Sequence, residues 1–114
     1  MSDRDFRAFL RDILEAGRRI GDNIEGLSYE SFRKDTKTQD AVIRNLEIIG
    51  EAAKNISDAE RARYQELPWK GMAGMRDRLI HGYFGVNLDI VWAVITTELP
   101  DILPTVEAIL DKRE

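Results

Sequence analysis

An all-α fold, an antiparallel bundle of four to five helices, is what this chain of 114 residues predicts. Three observations lead there. Apolar residues recur at spacings of three and four along most of the chain, as they do in helices that bury one face, and no strand-like alternation stands out. Capping residues stand where such helices would begin, and glycine or proline where they would end. The composition, 43% hydrophobic and 33% charged, is that of an ordinary folded protein and argues against disorder.

The first helix carries Phe6, Phe9, Leu10, Ile13, Leu14 and Ile20 on one face. Ser2 is its N-cap, and Asp3 and Asp5 sit where the helix dipole favours acid. Gly21 and Gly26 mark the exit into a polar loop. Thr36-Lys37-Thr38-Gln39 has the spacing of a capping box, and Val42, Leu46, Ile49, Ala53 and Ile56 form the stripe of the second helix. Ser57-Asp58-Ala59-Glu60 is another capping box and starts a short helix, which Pro68 ends by excluding Leu67 from helical geometry. A third long helix is expected from Trp69 to about His81, with Gly82 and Gly85 as terminators. Asn87 caps the last, whose apolar positions are Leu88, Val91, Ile95, Leu99, Ile102, Val106 and Ile109. Pro100 and Pro104 interrupt that stripe, so a kink is expected near Pro100. Short connections make neighbours mostly antiparallel.

Length and composition bound the rest. Residues 1–114 fit a single domain with a modest core, which an oligomer interface would help. There is no cysteine, hence no disulfide framework and no thiolate metal site, and the expected compartment is the reducing cytoplasm. One histidine makes a zinc site a poor expectation, so no metal and no cofactor is expected. No apolar run approaches the roughly 20 residues of a membrane span, so no membrane association is expected. A net charge of −4 does not advertise a nucleic-acid binder, and any such binding must rest on a local patch.

The candidate site is Arg76-Asp77-Arg78-Leu79-Ile80-His81-Gly82-Tyr83. It holds the only histidine of the chain, the one side chain here that changes charge near neutral pH. A guanidinium, an imidazole and a phenol together suit work on a phosphate: Arg forks onto phosphoryl oxygens and His takes or gives a proton. On a helix, Asp77 and Arg78 are neighbours of His81, four and three residues before it. Arg76, five before it, lies about 140° around the axis. Either the long Arg side chain reaches around, or the helix distorts near Gly82, or a second subunit completes the pair across a two-fold axis. The last is favoured, because Gly71 and Gly74 leave little side chain between packed helices. The plainer readings are a histidine that only complements a helix C-terminus, and a solvated charged face with weak local ion pairs. Trp69, Met72, Met75, Leu79 and Ile80 read as core. Arg4, Arg7, Arg11 and Arg18 fall within about 60° of one another on helix one. That row is either a solvated edge, partly neutralised by Asp5 and Glu15, or a strip of contacts to an RNA backbone.

Arg76, four residues, His81, one residue, Tyr83 resembles the signature of the HepT toxins, a branch of the HEPN ribonuclease superfamily. The stretch from Ala41 to Ile56, through Arg44-Asn45-Leu46-Glu47 and Gly50-Glu51-Ala52-Ala53, resembles that branch's second helix. The resemblance spans nearly the whole chain and implies one HEPN-like helical domain. It further implies a homodimer with the Arg and His motifs in a cleft between subunits, and metal-independent cleavage of RNA as the toxin of a type VII toxin–antitoxin system. The implied partner is a minimal nucleotidyltransferase antitoxin of the MntA kind, which adenylylates the motif tyrosine. Arg76 and His81 match the catalytic pair, Asp77 the polar position after the arginine, and Tyr83 the modified tyrosine. The supporting role given to Arg78, and the RNA-binding role given to Arg4, Arg7, Arg11 and Arg18, come from spacing alone.

The mechanism expected is transesterification within RNA, with His81 as base or acid and Arg76 stabilising charge on the phosphoryl oxygens. The competing reading is a non-catalytic helical subunit that docks a nucleotidyltransferase. Such a scaffold has no need of Arg76 and His81 together.

Overall fold

A computed structural model describes residues 3–79 and 85–113, and over these the chain is helical with no strand. Its frame is the pair α1 (Asp3–Ile24) and α3 (Thr36–Lys54), packed along each other. The stripe read from the sequence is the buried face: Phe6, Leu10, Ile13 and Ile20 of α1 meet Val42, Leu46, Ile49 and Ala53 of α3, all with no exposed surface. Burying each large apolar side chain stabilises the fold by roughly 1.5–3 kcal/mol, so this seam fixes the two helices firmly. A third rod crosses α1, built from α7 (Leu88–Ala93), a π-helical turn (Val94–Glu98) and α8 (Leu99–Arg113). Arg18 of α1 and Glu107 of α8 pair across that contact at 2.8 Å. No helix of the described residues is long and apolar enough to cross a membrane.

Caps explain most of the boundaries. Ser57 accepts from the Glu60 N–H and starts α4 (Asp58–Arg63), and Asn87 accepts from the Ile90 N–H and starts α7, both as the sequence indicates. The cap of α3 is Asp35 and not Thr36. Its carboxylate accepts from the Thr38 N–H at 3.0 Å and from the Thr38 hydroxyl at 2.6 Å. Those two bonds, the side-chain one foremost, hold its pKa below the usual carboxylate value. Gln39 is then free of the capping box and donates to the Phe32 and Arg33 carbonyls at 2.8 and 2.9 Å, stitching α3 to the helix before it.

That preceding helix, α2 (Tyr29–Lys34), occupies what reads as polar loop. Ser28 and Ser31 cap it reciprocally, and its Phe32 is fully buried 5.1 Å from the Trp92 ring. At the other proline signal, Pro68 caps a new helix, the preceding α4 having ended at Tyr64. The Trp69 indole donates to the Tyr64 carbonyl at 2.8 Å across that corner.

The helix expected from Trp69 is in two pieces, α5 (Trp69–Ala73) and α6 (Met75–Leu79), broken at Gly74. The break lies against α3 at Gly50. A Cβ there would stand 3.3 Å from the Met72 carbonyl oxygen and 3.5 Å from the Met75 Cβ. Glycine therefore lets the α5–α6 corner sit directly on α3. Gly50→Leu is expected to cost about 1–3 kcal/mol in urea unfolding, as overpacked interiors do. An unchanged midpoint would show that the corner is not seated on α3.

Candidate active site

Helix α6 carries the first half of the motif. Met75 and Leu79, four apart and each 1% exposed, anchor it inward. Arg76 is its second residue, and Asp77, its third, faces solvent. His81, Gly82 and Tyr83 lie outside the described residues, as does Ser2. The two ends of the chain around them are held together: the Leu79 carbonyl accepts from the Asn87 N–H at 2.9 Å. The end of α6 and the cap of α7 therefore lie side by side.

Arg78 does not stand free to take a phosphate. Its two terminal nitrogens donate to the two carboxylate oxygens of Glu98 at 3.0 and 2.8 Å, a forked pair between α6 and the π-helical turn. The two side chains are 39% and 42% exposed. Each charge favours the other, chiefly through these hydrogen bonds: the Glu98 carboxyl is held below its usual pKa and the Arg78 guanidinium above its own, against the opposing effect of partial burial. Sequence reasoning missed Glu98. The signal was present, because at about 100° per residue Glu98 falls within about 60° of Val91, Val94, Ile95 and Ile102, and so inside an apolar stripe.

The arginine row on α1 is less open than its spacing suggests. Arg4 lies in the first turn, Arg7 is half-buried, Arg11 is exposed, and Arg18 is exposed but engaged with Glu107. Arg19, outside the row, pairs with Glu15 at 2.8 Å. Among the described residues, no three acidic or histidine side chains converge as a metal site would require.

Comparison with known proteins agrees with this architecture. The profile of the family described as ribonuclease HepT-like matches residues 13–109. A Methanocaldococcus jannaschii protein named "Putative RNase MJ0127" is 46% identical over 110 residues, covering 96% of this chain and 91% of its own. A Thermococcus cleftensis protein named "Probable ribonuclease HepT" is 44% identical over 99 residues, covering 87% of this chain and 90% of its own. Among solved structures, the tri-AMPylated Shewanella oneidensis HEPN toxin, in complex with MNT antitoxin, superposes over the full length of both chains with a TM-score of 0.65 at 25% identity. The match runs from the middle of α1 almost to the end of α8, and so takes in most of the helical frame and the motif it carries: this chain belongs to the ribonuclease HepT-like family of the HEPN superfamily.

Proposed function

We propose that this chain is an endoribonuclease of the toxin–antitoxin kind, acting in the cytoplasm as a homodimer of single-domain subunits. The observation that carries the reading is family membership across residues 13–109, with relatives named as ribonucleases and a HEPN toxin bound to its MNT antitoxin among similar structures. Arg76 and His81 are the catalytic pair. His81 takes the proton of a ribose 2′-hydroxyl, whose oxygen attacks the adjacent phosphorus. The P–O5′ bond breaks, and the leaving oxygen takes a proton from an acidic imidazole, supplied in a dimer by the second His81. The products are a 2′,3′-cyclic phosphate and a 5′-hydroxyl.

Arg76 bonds the non-bridging oxygens as their charge grows, the interaction that lowers such barriers most. Asp77, exposed on the same short helix, holds the imidazole or the guanidinium in place. Arg78 serves the site from its pair with Glu98, not as a phosphate ligand. The α1 row of Arg4, Arg7, Arg11 and Arg18 meets the RNA backbone, a role that the exposure of Arg11 supports. A second subunit would bring a second copy of Arg76 and of His81 to the two-fold axis.

The nucleophile belongs to the RNA, so the reaction calls for no metal-bound water. Cleavage of single-stranded RNA is expected to survive excess EDTA. An absolute requirement for magnesium would overturn this part of the mechanism. The partner proposed is an MntA-like nucleotidyltransferase antitoxin that silences the enzyme by adenylylating Tyr83.

A further inference from the structure

Helix α6 is five residues long, too short to hold an orientation by its own hydrogen bonds. Its anchors lie outside it. Met75 and Leu79 set one side into the core, and the Leu79 carbonyl is tied to Asn87. Apolar contacts are non-directional and let a short helix roll. The forked bond from Arg78 to Glu98 does not, because two parallel N–H···O bonds fix the guanidinium plane against the carboxylate.

Glu98 reaches that place through an irregularity. In a regular helix at about 100° per residue it would point with Val91, Val94, Ile95 and Ile102 into the core. The π-helical turn from Val94 to Glu98 widens the helix there, and the Leu99 N–H bonds back to the Val94 carbonyl, five residues away. Leu99 lies in the core, 2% exposed, and Glu98 sits on the flank that faces α6, 42% exposed. Pro100 follows at once, without an N–H to restore the regular ladder. Such turns recur at functional sites.

We propose that Glu98 is a positioning residue of the ribonuclease site: gripping Arg78 from the π-helical turn, it sets the rotation of α6 and hence the place from which Arg76 works. The inference rests on the ribonuclease reading above. Both partners are partly exposed, so the pair adds little to global stability. It acts two residues from Arg76, where a small misplacement is costly to catalysis.

The test is steady-state cleavage of a fluorophore-labelled, mixed-sequence single-stranded RNA, with His81→Ala as the blank and a melting midpoint for each protein. Glu98→Gln and Arg78→Gln are each expected to lower kcat roughly tenfold with KM nearly unchanged and melting within a few degrees of the wild type. The exchange Arg78→Glu with Glu98→Arg is expected to recover kcat above either single variant. Wild-type kcat in Glu98→Gln overturns the proposal, as does a loss of kcat that comes with a collapse in melting temperature. Loss in Arg78→Gln alone also overturns it and makes Arg78 a direct RNA contact. A wild type that leaves RNA uncut removes the ribonuclease reading and this inference together, an outcome distinct from an active wild type with equally active variants.

Discussion

His81→Ala is expected to slow RNA cleavage about 10²–10⁴-fold, the usual worth of a positioned acid–base group. Arg76→Ala is expected to slow it about 10²–10³-fold, as removal of a donor to a developing oxyanion does. Both variants are expected to keep the far-ultraviolet circular dichroism of the wild type. The two losses should not add in full if both groups act on one transition state. Kinetics of the two single variants and the double variant, on one RNA and at one pH, check all three statements. A folded His81→Ala protein that cleaves at the wild-type rate would remove histidine from the mechanism.

The second large effect expected is silencing through Tyr83. An AMP group on that phenol adds bulk and a phosphodiester charge two residues from His81. The charge competes with RNA for the Arg76 guanidinium and repels the incoming backbone. Co-expression with an MntA-like nucleotidyltransferase is therefore expected to give protein heavier by AMP units at Tyr83 and without detectable nuclease activity. Tyr83→Phe should escape both the modification and the silencing. Intact-mass and peptide mapping, followed by a cleavage assay of the modified protein, check this. AMP found on Tyr29 or Tyr64, or an undiminished rate in modified protein, would contradict it. Tyr29 is a poor alternative, since its hydroxyl is hydrogen-bonded to Asp89 and its ring packs against Trp92.

The long helices were legible because their information is local. A stripe such as Phe6, Leu10, Ile13 and Ile20 needs only a period of 3.6 to be read, and the structure buries all four. Ser57 and Asn87 were legible as caps for the same reason. Helix α2 was not, because its cap partner at the third position is Ser31 and not Glu or Gln, and its one deeply buried residue, Phe32, makes no stripe. The seating of the broken Trp69 helix on α3 involves Gly50, distant in sequence, which nothing near Gly74 announces. Pro100 does announce an irregularity, and the structure meets it with a π-helical turn in the five residues before Leu99.

The site divides in the same way. The grouping of Arg76, His81 and Tyr83 is a spacing pattern in the chain, and two of its three members lie outside the described residues. The role of Arg78 could not be read from spacing, because its partner Glu98 is 20 residues away and its placement depends on that turn. The row from Arg4 to Arg18 shows the limit of helical arithmetic. Spacing aligned the four, but α8 brings Glu107 to Arg18, and Arg7 is half-buried.

Cutting of RNA through the 2′-hydroxyl, with His81 as the proton-transfer group, is the reaction expected of this HepT-like chain. Its most direct measurement is an end-group analysis of one labelled strand, in its RNA and all-deoxy forms, after incubation with the wild type and with His81→Ala. The expected result is RNA fragments ending in a 2′,3′-cyclic phosphate with 5′-hydroxyl partners from the wild type only, and an intact deoxy strand throughout. Cleavage of the deoxy strand, or the same RNA fragments at the same rate from His81→Ala, would contradict that expectation.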